Sequence, residues 1–279
     1  CASGEKWDET LTGPAGSSES VLLIIAEEER GMEICALTDT GKVRTSNQDY
    51  IYASSRMVGP LANLLLLADG MGGANAGDYA SRFFVEELVA FIGRQPEDSP
   101  EVTVLRHGIT EINHRLYQES IKVPSLRGMG TTAVAATVSE GTLYVANVGD
   151  SRLYLIRKGI IQVTRDHSYV EEMVSLGLLK RESPDYQKKK NYITRAVGTD
   201  ANIDIDFFEV SLQPGDMILL CSDGLTNMLD DDSIYSIVSG EGNLTEKCRR
   251  LIRSANDNGG NDNISVILAE PAESEVAPC

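Results

Sequence analysis

Asp49, Asp69, Asp223 and Asp262 each stand where an apolar run meets small or polar residues. Their settings are Asn47-Gln48-Asp49, Leu67-Ala68-Asp69-Gly70-Met71-Gly72-Gly73, Leu220-Cys221-Ser222-Asp223-Gly224 and Gly260-Asn261-Asp262-Asn263. Strand ends of this kind present side chains from a rigid sheet. If the four carboxylates meet, each like-charged pair at ~4 Å and an effective dielectric of ~20 costs about 4 kcal/mol. Either a cation fills the space or the carboxylates protonate. The pattern therefore restricts the chain to folds whose strand ends open on a metal, or to folds that keep the four apart in water. Hard oxygen donors favour magnesium or manganese. A glycine beside a ligand lets a backbone carbonyl approach the same ion.

Taken singly, an Asp beside a Gly is most often a turn residue. The ordered set of motifs is far more specific. Arg44-x-x-Asn47-Gln48-Asp49 is followed by Asp69-Gly70-Met71-Gly72-Gly73, Gly130-Thr131-Thr132 and Val148-Gly149-Asp150-Ser151-Arg152. Ser222-Asp223-Gly224 and Asp262-Asn263 complete the series. This succession resembles the metal-dependent serine/threonine protein phosphatases of type 2C, the PPM family, in their compact bacterial form. The resemblance runs from about Met32 to Pro271.

That resemblance implies an α+β fold: a central sandwich of two mainly antiparallel sheets flanked by helix pairs, with a metal cleft at one edge. It implies two Mg2+ or Mn2+ ions held by Asp49, Asp69, the Gly70 carbonyl, Asp223 and Asp262, and a third, weaker ion at Asp150. It implies hydrolysis of phosphoserine and phosphothreonine in proteins by water activated between the two metals, with no covalent phospho-enzyme. Phosphorylated protein substrates, a bacterial Ser/Thr kinase among them, and a monomeric state belong to the same expectation. Arg44, five residues before Asp49, is expected to grip two phosphate oxygens with its planar fork. Alone, it would read as a surface ion-pair former. Asp39 precedes a turn and reads as a structural hydrogen-bond acceptor near the site. His167, in Asp166-His167-Ser168, reads as a buried structural histidine rather than a catalyst. Gln48 stands where many relatives have Glu, which drops one charge. Met71 stands where many eukaryotic relatives have a His proposed as a general acid, and Met has no proton to donate. A catalytically inactive binding module on the same fold is the alternative; loss of metal ligands would mark it, and none is lost.

Charge and cysteine usage exclude other classes. The 279 residues carry a formal net charge of −17, which argues against nucleic acid, whose phosphates attract Lys and Arg. The five cysteines form no Cys-x-x-Cys and the chain has only three histidines, so a zinc site is not expected. No Cys-x5-Arg loop is present, which excludes a cysteine phosphatase. Cys35 and Cys221 sit in apolar runs and read as small core residues. No apolar run approaches the ~20 residues of a membrane span. An odd cysteine count without a secretion signal fits the cytoplasm.

Along the chain, residues 1–31 are expected to be disordered or foreign to the domain, with Met32 as the native start. The weighed alternative is that the Val21–Ala26 run adds a strand to a sheet edge. Residues 32–270 form the catalytic domain and 271–279 a loose tail. Within the domain, Leu64–Asp69 reads as a strand buried on both faces. Ala74–Ile92 and Glu101–Ser120 read as helices. Thr131–Val138, Thr142–Asn147, Arg152–Arg157 and Ile160–Val163 read as successive hairpin strands. The stretch from about 166 to 191 changes character. A short amphipathic helix near Val170–Leu176 leads into the charged run Lys180–Lys190, which the resemblance makes a flap beside the active site. Its basic residues are expected to meet an acidic or phosphorylated substrate, against the plainer reading of a solvated loop. Phe207–Leu212, Met217–Cys221 and Ile264–Leu268 read as strands, with helices over Asp230–Val238 and Leu244–Ala255.

Overall fold

In the computed structural model, residues 22–26, 32–73, 76–181, 183–189 and 192–276 are described. Strands β1 (Leu22–Ala26), β2 (Glu33–Asp39), β3 (Asp49–Ser54) and β4 (Leu64–Met71) come first, then helices α1 (Ala76–Ile92) and α2 (Glu101–Lys122). β5 (Gly130–Thr131), β6 (Ala133–Ser139), β7 (Thr142–Val148), β8 (Arg152–Ile156) and β9 (Ile160–Gln162) follow. Short helices α3 (Tyr169–Ser175) and α4 (Pro184–Lys189) precede β10 (Asp206–Ser211) and β11 (Met217–Cys221). The chain then forms α5 (Asp223–Thr226), α6 (Asp231–Ser239), α7 (Leu244–Asp257) and β12 (Ile264–Glu270).

Two sheets result, both antiparallel, one ordered β1-β2-β12-β11-β8-β9 and the other β10-β7-β6-β4-β3 with β5 appended to β4. Strand side chains alternate between faces, and β4 uses both. Leu65 and Leu67 point into the space between the sheets, where they meet Ile34, Ile51, Val134, Leu220 and Ile267. Leu64, Leu66 and Ala68 point the other way, beneath Phe84 and Leu88 of α1 and Ile109 of α2. The continuous apolar run of β4 follows from this double burial. On the far side of the first sheet, Leu37, Tyr154 and Leu219 are covered by Ile234 of α6 and Leu251 of α7. The layers are α-β-β-α, as the resemblance implied.

The alternation also places the site. Asp69 continues the inward row Leu65–Leu67, and Asp49 the inward row Ala53–Ile51, at the same end of the sandwich. Asp49 and Asp69 are direct cross-strand partners. From the opposite sheet, Thr38 continues Ile34–Ala36, Ser222 continues Ile218–Leu220, and Ser265 continues Ala269–Ile267. At that end the inward rows of both sheets turn from apolar to polar.

The ends of the domain and the charged run show further detail. Within the segment read as disordered or foreign, Leu22–Ala26 form an antiparallel edge strand on β2, with Leu22 opposite Thr38 and Ala26 opposite Ile34; the sheet-edge alternative describes these five residues. The rest of 1–31 lies outside the described residues, as do Ala74 and Asn75 of the expected first helix. The tail is not loose throughout: Glu273–Glu275 form a 3-10 turn, and Val276 packs into the inter-sheet core. The charged run contains helix α4, with Pro184 opening it, Asp185 in its first turn and Lys188 and Lys189 in its last, an arrangement the helix dipole favours. Cys35 and Cys221 are buried as expected, and Cys248 joins them. Among the described residues no helix is long and apolar enough to cross a membrane.

Candidate active site

Backbone contacts grip the inward aspartates from several elements. Thr132 N–H and Thr131 Oγ1 donate to the Asp69 carbonyl at 2.8 Å and 3.0 Å. The Asp69 N–H donates to Thr132 Oγ1 at 2.9 Å. The Gly130-Thr131-Thr132 motif is thus the clamp that sets Asp69. The next residue, Gly70, has no room for a side chain: a Cβ there would lie 2.1 Å from the Gly77 carbonyl oxygen. A Cβ on Gly77 would stand 2.7 Å from the Gly70 carbonyl oxygen and 2.9 Å from Gln48 Cδ. Glycines at both positions let the first turn of α1 close on the end of β4. Asp223 opens α5, and the adjacent Gly224 touches the Asn263 carbonyl so closely that a Cβ would lie 2.0 Å away.

Asn263 ties the loop before β3 into place. Its Nδ2 donates to the carbonyls of Thr40 and Ser46 at 2.9 Å and 3.0 Å, and its Oδ1 accepts the Gln48 N–H at 2.9 Å. Asp39 Oδ1 accepts from Gly41 N–H at 2.7 Å and from Asn256 Nδ2 at 3.0 Å, the structural role expected of it. These contacts carry Arg44 to the rim, where its Nη2 meets Asp262 Oδ2 at 2.7 Å with the guanidinium side chain still 51% exposed.

Asp49 is buried, and its Oδ2 accepts two hydroxyls, from Ser222 at 2.8 Å and Ser265 at 2.6 Å. Its other oxygen, Oδ1, is buried with no hydrogen-bond partner. Burial pushes the Asp49 carboxyl up to about 7 against the two hydroxyls, and the charges of Asp223 and Asp262 push the same way. Asp69 is raised well above the carboxylate range, first by burial and then by the charges of Asp49, Asp223, Asp150 and Asp262. Asp49 and Asp69 face each other across the strand pair, and the charges of Asp150, Asp223 and Asp262 are felt at Asp69. Asp150 is buried, Oδ1 without a partner, and is raised by burial and by Asp223. Among the described residues no group of three or more His, Cys, Asp or Glu side chains is spaced to hold a metal ion; Asp262 is instead paired with Arg44. The donor set itself suits a hard divalent cation: oxygen donors only, with buried carboxylate oxygens on Asp49 and Asp150 that none of the described residues hydrogen-bonds.

The Asp150 turn is fastened to the start of the 166–191 segment. Gly149 N–H donates to His167 Nδ1 at 3.1 Å, and His167 N–H donates to the Gly149 carbonyl at 2.9 Å. Because Nδ1 accepts, Nε2 carries the proton and faces Asp206 Oδ2 at 3.1 Å. Burial holds the His167 imidazole below its ordinary value, which fits a neutral structural ring. Two residues beyond Asp150, Arg152 grips Asp166 through Nε and Nη2, the shortest contact being 2.7 Å. Beside this anchor lies a polar cleft of about 460 Å3 lined by Arg152, Arg165, Glu171, Arg181, Tyr186 and Asp231. Glu171 braces it by accepting from Arg181 Nη2 at 2.7 Å and Tyr186 Oη at 2.6 Å.

Comparison with known proteins identifies the family. Residues 38–269 match the family model described as Protein phosphatase 2C. The chain belongs to the protein phosphatase 2C family. The protein phosphatase PhpP of Streptococcus pneumoniae is 39% identical over 246 residues, spanning 88% of this chain and 99% of PhpP. The serine/threonine phosphatase stp of Listeria monocytogenes is 37% identical, spanning 84% and 93% of the two chains. The solved structure of the S. agalactiae serine/threonine phosphatase superposes with a TM-score of 0.80 at 35% identity, covering 86% of this chain and 99% of that one. The Mycobacterium tuberculosis phosphatase PstP/Ppp gives a TM-score of 0.76 at 31% identity over 86% and 98%. The chain is a protein-serine/threonine phosphatase of a metal-dependent family.

Sequence reasoning quoted Asn47 and Ser222 within motifs but gave them no role, and passed over Thr38 and Ser265. For Thr38 and Ser265 the usable signal was parity: each is a polar side chain in the inward row of a strand that is otherwise apolar; Ser222 extends the same parity one residue beyond β11.

Proposed function

We propose that Asp49, Asp69, the Gly70 carbonyl, Asp223 and Asp262 hold two magnesium or manganese ions and that Asp150 holds a third, weaker one. The observation that carries this reading is geometric: Asp49 and Asp69 are cross-strand partners at the polar end of the sandwich, and Asp49 is buried with one carboxylate oxygen that no described residue hydrogen-bonds. Asp69, the cross-strand partner of Asp49, would be the carboxylate nearest to both ions in this reading. Ions so held would polarise a phosphoryl group and lower the pKa of water beside it. The residues of the chain then position and exclude. Arg44, exposed at the rim, binds two phosphate oxygens and draws the phosphoserine or phosphothreonine side chain inward. The apolar rows behind Asp49 and Asp69 close the floor. No histidine serves as a proton donor to the leaving alkoxide: His167 is committed to Gly149 and Asp206, His107 and His114 lie exposed on α2, and Met71 has no proton to give. The substrates are phosphorylated proteins, a Ser/Thr kinase of the same cell among them. Lys180, Arg181, Lys188 and Lys189 offer positive charge to their acidic flanks.

The test is turnover of a phosphothreonine peptide with manganese, with magnesium and with excess chelator. Asp69→Asn and Asp223→Asn should each abolish turnover while circular dichroism is unchanged. Calorimetric titration with manganese should find the weakest site missing in Asp150→Ala. Undiminished turnover in chelator would refute the metal reading.

A further inference from the structure

The hydroxyls around Asp49 form a directed circuit. Asp49 Oδ2 accepts from Ser265 Oγ at 2.6 Å and from Ser222 Oγ at 2.8 Å. A hydroxyl has one proton. Ser265 spends its proton on Asp49, so in its 2.7 Å contact with Thr38 Oγ1 it is the acceptor and Thr38 the donor. Thr38 in turn accepts from Asn47 Nδ2 at 2.7 Å. Asn47 Oδ1 accepts the Asp49 N–H at 3.1 Å, which closes the ring on the residue where it began. Ser222 joins from the side: its Oγ accepts the Ser265 N–H at 2.9 Å while donating to Asp49. The hydroxyls of Thr38, Ser265 and Ser222 all lead toward one oxygen, Asp49 Oδ2. Such chains polarise one another, and each link strengthens the next.

The circuit crosses the sandwich. Asn47 and Asp49 belong to the β3 side, whereas Thr38 is on β2, Ser265 on β12 and Ser222 directly after β11. Thr38 and Ser265 are cross-strand partners. Thr38, Ser222, Ser265 and Asp49 are all buried, so water does not compete for these bonds. The consequence for the carboxylate is asymmetric. Oδ2 is filled and fixed; Oδ1 is buried, and none of the described residues bonds to it.

We propose that Ser265 and Ser222 are positioning residues for Asp49: their hydroxyls lock Oδ2 and leave Oδ1 as the single ligand atom that β3 presents to a divalent cation. This rests on the reading of Asp49 as a metal ligand. Thr38 and Asn47 support the lock by holding the Ser265 proton on Asp49. A carboxylate held in this way loses no rotamer freedom when the ion arrives, and groups bonded to a ligand from behind typically change metal affinity by roughly 10- to 100-fold when removed.

The experiment is calorimetric titration of the metal-stripped full chain with manganese, alongside thermal unfolding without metal. Ser265→Ala should weaken the tightest manganese site roughly 10- to 100-fold. Ser265→Thr, which keeps the hydroxyl, should restore wild-type affinity. Thr38→Val should weaken binding less than Ser265→Ala, since the last donor remains. Asp49→Asn should weaken it at least as far as Ser265→Ala. A merely structural role would lower the melting temperature of Ser265→Ala and leave its manganese affinity unchanged. That result, with Asp49→Asn impaired, would overturn the positioning role alone. Wild-type affinity in Asp49→Asn would overturn the ligand reading and this proposal with it. Should Ser265→Ala fail to fold, wild-type affinity in Thr38→Val overturns the proposal.

Discussion

Lowering the pH from 8 to 5 in excess chelator should make the metal-free phosphatase more stable through its aspartate cluster, contrary to the usual effect of acid. Asp49 binds its proton with a pKa of about 7 in the folded protein against 3.8 unfolded. A group raised in this way contributes stability that is complete below the unfolded value and lost as pH rises through the folded one. At 1.36 kcal/mol per unit, Asp49 alone is worth about 4 kcal/mol over the whole range, and about 2–3 kcal/mol of it falls between pH 8 and pH 5. Asp69 and Asp150, also raised, act with the same sign. His167 opposes them: its imidazole is held below 6.5 by burial, so its share is lost as pH falls through that ordinary value. Glu171 and Asp206, lowered by their partners, matter only at more acid pH than this window. Asp49→Asn carries no proton at this position, so comparison with wild type isolates the cluster from His167. Urea unfolding at pH 5, 6, 7 and 8, extrapolated to water, should show a pH 5-minus-pH 8 stability difference smaller in the variant by about 2–3 kcal/mol. In saturating manganese the wild-type trend should reverse, because protons and the ion compete for the same oxygens. Identical pH slopes in wild type and Asp49→Asn would refute the buried, mutually repelling cluster.

Arg44→Ala should raise the KM for a phosphopeptide more than it lowers kcat, because the guanidinium grips phosphate in ground and transition states alike; an unchanged KM would show that Arg44 does not reach substrate. A chain lacking residues 1–31 should melt several degrees lower, at roughly 2–4 °C per kcal/mol for a domain of this size. The loss strips the partner from β2 between Ile34 and Thr38, and an unchanged melting temperature would show that β1 contributes no net stability.

Much of the fold was legible in the sequence where one interaction dominates. β4 declared itself through an apolar run too continuous for a half-exposed strand, and α7 through helical spacing that the structure closes with an Asn243–Glu246 capping box. β1 was harder to place, because a short apolar run among polar residues shows no partner; the partner is the outer edge of β2, known only once the sheet is assembled. Helix α5 was missed because Asp223-Gly224 is turn chemistry in isolation, and only the Ser222 junction with β12 makes it a helical turn. The carboxylates and Arg44 drew attention only through the ordered set of motifs around them, because an Asp beside a Gly is ordinarily a turn residue and an exposed Arg an ordinary ion-pair former. Ser265 and Thr38 did not, since a lone hydroxyl in a strand is ordinary and the residue each serves is distant: Ser265 reaches Asp49 across 216 positions of chain. Asn263 was visible as part of a motif, but its work of tying three backbone groups together depends on a loop whose path no local pattern specifies.

The two hydrogen bonds between His167 and Gly149, with the Arg152–Asp166 pair beside them, make the Asp150 turn and the root of the 166–191 segment a single mechanical piece. Displacing that segment at its root requires breaking the bond from Gly149 N–H to His167 or carrying the turn along. Occupancy at Asp150 and the position of the segment are then one variable rather than two. Linkage makes the relation reciprocal: a protein substrate that changes ion affinity at Asp150 by holding the segment must have its own affinity changed by the ion by the same factor. A protein substrate would thereby feel the ion proposed at Asp150, whereas a small phosphate ester that never touches the segment has no such means.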